Sequence, residues 1–239
     1  LSYTKEQGYA KFSSADYDAI GRQVALNRQL TTHYLREASL NRILIAGMGQ
    51  GIEAISVCHQ FSAWSVGIDI NPLAGQLFAS DFPVITGDVT HLSFKDDSFD
   101  FVYCNHVLEH VGDARKALLE IGRVLKKGGL LFAGFPNRRR LVAYIGTSDC
   151  HSFFQFLAWN ARDYGFRIRG KFRNECGAHA GFTTREFMNI SENIFSRNSE
   201  LTDRYFELKY PRFLNLIRLI SRFRLGEMIF PSKYFICIK

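Results

Sequence analysis

No apolar run in these 239 residues approaches the ~20 that a membrane-spanning helix needs. The opening residues, Leu1-Ser2-Tyr3-Thr4-Lys5-Glu6, lack the apolar centre of a secretory signal. They also lack an initiator methionine, so a trimmed or processed chain is expected. Cysteine is sparse and scattered: Cys58, Cys104, Cys150, Cys176 and Cys237 include no Cys-x-x-Cys pair. An odd, dispersed set argues against a disulfide framework and predicts reduced thiols, hence a cytoplasmic setting. Repeats and low-complexity tracts are missing as well. With 46% hydrophobic and 22% charged residues, a disordered tail, a collagen-like fibre and a coiled coil are excluded. A soluble globular domain is what remains.

Charge is plentiful but lopsided. Residues 135–239 carry 18 Lys+Arg, 14 of them Arg, against 9 Asp+Glu, whereas residues 1–134 carry 12 against 14. A basic half suits an anionic partner such as a phosphate, a nucleic acid or a lipid surface, or simply a well-solvated face.

A cadence of short apolar runs and helical stretches organises the chain. Runs at 42–46, 64–68, 82–86, 99–104 and 129–134 read as buried strands, and 234–238 as a last strand. Ala114 to Leu125 has apolar residues at helical spacing and is predicted to stop at Gly128-Gly129. Strands alternating with helices imply right-handed crossovers and a doubly wound α/β sheet with helices on both faces. In such a sheet ligands bind beyond the carboxyl ends of the strands, and those ends here carry Gly, Asp or Asn. One domain is expected: a helical cap to residue 40, a core over 41–136, an insertion over 137–200 and a closing segment over 201–239.

Gly47-Met48-Gly49-Gln50-Gly51 follows the first strand and opens a helix. Glycines let backbone approach a ligand closely, and the helix N-terminus offers unpaired N–H groups to an anion. Asp69, at the second strand end, can accept both hydroxyls of a ribose. Asp88, at the third, can accept from an adenine amino group, or it can cap the next turn. Together these pieces point to an adenosine-type cofactor. The spacing departs from the G-x-G-x-x-G of nicotinamide enzymes, since Ile52 follows Gly51.

With Gly67-Ile68-Asp69, Gly87-Asp88-Val89, Phe99-Asp100-Phe101-Val102, Asn105-His106-Val107-Leu108-Glu109-His110-Val111 and Arg123-Val124-Leu125-Lys126-Lys127-Gly128-Gly129 in order, residues 40–136 resemble the class I S-adenosylmethionine-dependent methyltransferases. The "type 11" small-molecule and lipid subgroup is the nearest in pattern. The resemblance implies a Rossmann-like seven-stranded sheet with an antiparallel last strand. It places Gly47, Met48, Gly49 and Gly51 under the methionine part of S-adenosyl-L-methionine, Asp69 on the ribose, and Asp88 with Val89 at the adenine. Ile70 is implied to pack on the adenine and Asn105 to line the methionine side. Two positions depart from the family pattern. Ile45 stands where an acidic residue is usual, and Met48 where a small residue or Cys is usual. Either cofactor binding is weaker, or the acid's role on the cofactor's amino group is filled elsewhere.

His106-Val107-Leu108-Glu109-His110 also spells the inverted zinc-protease pattern H-x-x-E-H, but the methyltransferase frame accounts for it and no metal is expected. A general base is required only for an acceptor proton of high pKa. His110 and His151 are the favoured candidates, ahead of His179, Glu109 and Tyr144. Aromatic residues of the cap (Tyr3, Tyr9, Phe12, Tyr17) can fold over the cofactor or pack as core. Arg138-Arg139-Arg140 can grip a phosphate or carboxylate, or form a solvated loop. Thr183 or Thr184 is expected to cap a helix with Glu186 in its first turn.

The basic amphipathic segment 212–224 is predicted to cover the sheet, apolar face buried and arginines in water. The alternative is a peripheral contact with an anionic membrane. The expected function is methyl transfer to a small-molecule, lipid or glycan-type acceptor bearing negative charge. A non-catalytic cofactor-binding relative and an RNA methyltransferase are the alternatives, although no RNA-binding module or aromatic-basic platform is visible.

Overall fold

The computed structural model describes residues 14–35, 40–49, 51–71, 82–143, 152–174 and 178–239. Helix α1 (Ser14–Thr32) precedes a sheet of β1 (Arg42–Ala46), β2 (Trp64–Asp69), β3 (Val84–Thr86), β4 (Phe99–Asn105), β5 (Leu125–Pro136), β6 (Arg197–Glu200) and β7 (Ser232–Ile238). Its strand order is β3-β2-β1-β4-β5-β7-β6. The first five strands pair in parallel, and β7 pairs antiparallel with both β5 and β6. Among the described residues, β7 alone therefore runs against the other six. The doubly wound sheet with a reversed last strand is the expected architecture.

Near-continuous apolar runs make the central strands, because both faces are covered. Leu44, Val102, Leu131 and Phe235 join a core with α3 (Ala114–Val124) and α5 (Thr184–Ser191). Ile43, Ile45, Phe101, Tyr103 and Phe132 face α1, α2 (Ile52–Phe61) and α6 (Thr202–Lys209). Alternation along each strand thus sorts side chains between two helical layers.

Three boundaries differ from the sequence reading. Helix α3 ends at Val124, ahead of the glycine pair, because Asp97 and Ser98 donate their N–H groups to the Arg123 and Val124 carbonyls. Those bonds satisfy the helix end, Leu125 turns extended, and β5 starts at once. Next, α5 and β6 belong to the sheet layers: Phe187 of α5 packs against Phe135 and Phe235 at ring-centroid distances of 4.8 and 4.5 Å. What stands outside the sheet is α4 (Phe153–Ile168). A small core of Phe172, Ala178 and Ala180 holds it.

The third difference is at 212–224. Helix α7 (Leu214–Arg222) follows a 3-10 turn at Pro211–Phe213 and is followed by α8 (Gly226–Ile229). It packs on α6 rather than on the sheet, and a helix beneath offers one narrow seam. Ile217 fills that seam, while Phe213, Leu216 and Phe223 stay 60%, 54% and 64% exposed. The predicted burial of the whole apolar face is not what the structure shows.

Candidate active site

The carboxyl ends of β1, β2 and β4 open into two adjoining cavities. One, of about 670 Å³, is walled by Gly47, Gly49, Asp69, Ile70, Asp88 and Val89. The other, of about 910 Å³, lies between α1, α4 and the end of α6, and reaches Glu53, Asn105 and Glu109. His106 and His110 line both, so the cavities meet at these two imidazoles.

The glycine loop takes its shape from positive φ at Gly47, Gly49 and Gly51 (69°, 53° and 94°), which L side chains rarely adopt. A Cβ on Gly47 would strike the Val107 side chain, whereas one on Gly49 would project into open space. The loop is tied to β2: the Gly47 N–H donates to the Ile68 carbonyl at 2.8 Å, and the Gly49 N–H to Asp69 Oδ2 at 2.8 Å. Asp69 Oδ1 accepts from the Asn71 N–H at 2.9 Å. Each carboxylate oxygen has a lone pair left for a ligand hydroxyl.

The Met48 side chain is turned away, buried against Gly67 and Phe82. Its size is accommodated because residue 67 has no side chain. Gly51 caps α2 and is also buried. Neither is among the residues that wall the cleft, whereas Gly47 and Gly49 are. Ile70 is 73% exposed on the rim, an apolar side chain with one face open. The Thr90 N–H, bonded to Asp88 Oδ1 at 2.8 Å, holds the Asp88 carboxyl below the usual range.

On the other side, β4 turns polar at its end. Phe101, Tyr103 and Asn105 share one face, and the last two point their polar atoms at Glu53 in the first turn of α2. Tyr103 Oη–H and Asn105 Nδ2–H donate to Glu53 Oε1 at 2.7 and 2.8 Å. Burial raises the Glu53 pKa, against the pull of these bonds and of the His106 charge. Sequence reasoning missed Glu53 and Tyr103. The signal available was a strand face running from Phe101 through Tyr103 to Asn105, which needs a polar partner where it ends. Ile45 lies in the same layer, packed as core, so Glu53 supplies a carboxylate that Ile45 does not.

The segment 106–110 is no α-helix: Leu108–His110 forms a 3-10 turn, and Glu109 Oε1 bonds His106 Nδ1 at 3.2 Å. His106, at φ 55°, has a raised pKa. Loss of solvent opposes its charge, but the Glu109 hydrogen bond and the charges of Glu109 and Glu53 outweigh that. His110 meets His179 edge-on at 4.6 Å between ring centroids. Loss of solvent and the nearby His110 lower the His179 pKa. Glu109 Oε2 and Asn105 Oδ1 are buried acceptors with no donor among the described residues. His110, His179 and Glu109 are thus brought together, while His151 and Tyr144 lie outside the described residues, as do Tyr3, Tyr9 and Phe12. Among the described residues no group of three or more His, Cys, Asp or Glu is placed to hold a metal.

The arginine triplet is built into the scaffold. Arg138 pairs with Glu186, and Arg140, 4% exposed, binds Asp163 at 2.9 Å and the Ala180 and His179 carbonyls. Two of the three guanidiniums are spent on structure, and Arg139 is exposed. Arg22, Arg162 and Lys209 instead bring positive charge to the larger cavity. Lys209 stands 5.5 and 5.6 Å from the centres of the Tyr205 and Tyr210 rings, and burial lowers its pKa. No ion pair to these three is formed among the described residues.

Residues 44–133 match the family model described as a methyltransferase domain. An uncharacterized protein of Methanocaldococcus jannaschii is 47% identical over 87 residues, 35% of this chain and 37% of that protein. A demethylmenaquinone methyltransferase of Mycobacterium tuberculosis is 32% identical over 107 residues, 44% of each chain. The chain thus spans less than half the length of either relative. In fold, it resembles the crystal structure of a SAM-dependent methyltransferase from Archaeoglobus fulgidus, with TM-score 0.58 at 18% identity over 92% of this chain and 94% of that one.

Proposed function

We propose that this chain, which carries a class I S-adenosylmethionine-dependent methyltransferase domain, transfers a methyl group to an O, N or C atom of a small anionic acceptor. The observation that carries this reading is the junction of the two cavities at His106 and His110. One side has the furniture of an adenosine site, and the other has room, cations and titratable groups for an acceptor. The residues present fit the cofactor: a glycine-walled cleft, free lone pairs on Asp69, an open apolar face on Ile70, and buried unpaired acceptors at the junction. Bound there, S-adenosyl-L-methionine supplies a methyl group already activated on a sulfonium.

The chain's own work is alignment and exclusion of water, worth up to ~7–11 kcal/mol of a barrier. Asp69 would take the ribose hydroxyls, and Asp88, whose pKa the Thr90 N–H lowers, would accept from the adenine amino group. Glu53 and the Asn105 amide would hold the cofactor's ammonium, the role that Ile45 leaves open. Lys209, poised over two tyrosines, attracts an acceptor carboxylate or phosphate, with Arg22 and Arg162 at the mouth. His110 takes a proton from an acceptor hydroxyl or ammonium, and the His106–Glu109 pair fixes the turn that carries it. His151 stays a second candidate for that proton.

Calorimetric titration with S-adenosylmethionine and S-adenosylhomocysteine, with NADH as control, is the test. Micromolar binding, about −8 kcal/mol, is expected for both adenosyl ligands and none for NADH. Asp69→Ala should weaken it roughly hundredfold, about 2.7 kcal/mol. His110→Ala should retain binding and lose ~10²–10⁴ in turnover of a hydroxyl acceptor. A folded protein that binds neither adenosyl ligand would sink the proposal.

A further inference from the structure

We propose that α7 and its flanking turns form a docking surface for an anionic lipid bilayer. From Leu208 to Gly226 the chain has no Asp or Glu and five cations, Lys209, Arg212, Arg218, Arg222 and Arg224. Phe213, Leu216, Leu219 and Phe223 lie along one helical stripe and are 60%, 54%, 51% and 64% exposed. Arg218 and Arg222, one turn apart, make the adjoining exposed face. Four large apolar side chains left in water along one stripe forgo the stabilisation that burial returns, and contiguous patches of this kind mark interaction sites.

Charge selects the occupant. Glu207 is shared between Arg204 and Arg218, at 3.0 and 3.3 Å, and Glu227 is paired with Lys233. Arg212, Arg222 and Arg224 are left without a carboxylate among the described residues. A second copy seated here about a twofold axis would set this cationic face against itself. A bilayer rich in anionic phospholipid meets both requirements together: the apolar stripe enters the headgroup–acyl boundary while guanidiniums bind phosphates. Among the described residues no helix is long and apolar enough to cross a membrane, so the contact is peripheral. Lys209 and Tyr210 line the larger cavity, and Phe213 follows three residues later. Docking therefore places the cavity beside the bilayer, where an amphiphilic acceptor is concentrated. That last consequence rests on the methyl-transfer reading, whereas docking itself does not.

Co-sedimentation with vesicles tests it without any turnover. The protein should pellet with vesicles of phosphatidylcholine mixed with phosphatidylglycerol, and not with phosphatidylcholine alone. Phe213→Ser/Leu216→Ser/Phe223→Ser should lose roughly tenfold or more in binding, and Arg212→Gln/Arg222→Gln about fivefold per charge. Circular dichroism and S-adenosylhomocysteine titration of both variants show whether the fold and cofactor cleft are intact, separately from docking. Three results overturn the proposal: no pelleting with the anionic vesicles, pelleting that the apolar variant leaves unchanged, or a dimer in sedimentation velocity that this variant converts to monomer.

Discussion

At Glu53 a half-buried carboxylate reaches the wall of the larger cavity, with Tyr103 and Asn105 as donors. An amide keeps both bonds, because its oxygen accepts equally well, but it removes the charge whose desolvation raises the pKa. Glu53→Gln is therefore expected to melt a few degrees higher while binding S-adenosylhomocysteine about tenfold more weakly, a loss of about 1.4 kcal/mol. Thermal melts and calorimetry on one preparation separate the two effects. His106 carries a pH signature. Its folded pKa is above the ordinary value, so its contribution to stability is complete below about pH 6.5 and fades as pH rises through the raised value. The gap in melting temperature between the wild type and His106→Gln should be largest at low pH and shrink above that point. A gap that widens with pH would contradict the assignment. Both residues escape simple pattern reading because their roles depend on partners on other elements: Tyr103 is 50 positions from Glu53.

Among elements, legibility followed apolar content. Strands β1, β2 and β4 announced themselves as mainly apolar runs, interrupted by Ser65 and Asp100, that lead into Gly, Asp or Asn, and so did the ligand edge they create. β6 did not, since Arg197-Asn198-Ser199-Glu200 has no apolar residue. It is an edge strand held by backbone pairing with β7. The capping signal at Thr183 was readable because it is local: Thr183 and Glu186 form a reciprocal capping box. The arginine triplet misled for the opposite reason. Arg140 is neutralised by Asp163, far along the chain on α4, and both side chains are at least nine-tenths buried. Removing one partner strands the other charge, so Asp163→Ala should cost about 3–5 kcal/mol. That is roughly ten degrees in melting temperature for a chain of this size. Increased proteolysis between β5 and α5, with the sheet intact by circular dichroism, would locate the damage.

For the molecule as a whole, the hydrogen bonds around Glu53 extend further than the site. Asn27 Nδ2–H, on α1, donates to Tyr103 Oη at 2.7 Å, and Tyr103 in turn donates to Glu53. The same helix contributes Ala19, Ile20, Arg22, Gln23 and Leu26 to the wall of the larger cavity. A ligand that binds the assembled cleft and not one with α1 lifted away must therefore hold α1 down by its own binding free energy. Amide exchange along α1 should slow on saturation with S-adenosylhomocysteine, and Asn27→Ala should blunt that protection more than it changes exchange in β4. Occupancy of the cleft would then be legible from outside it, as the rate at which the first described helix opens.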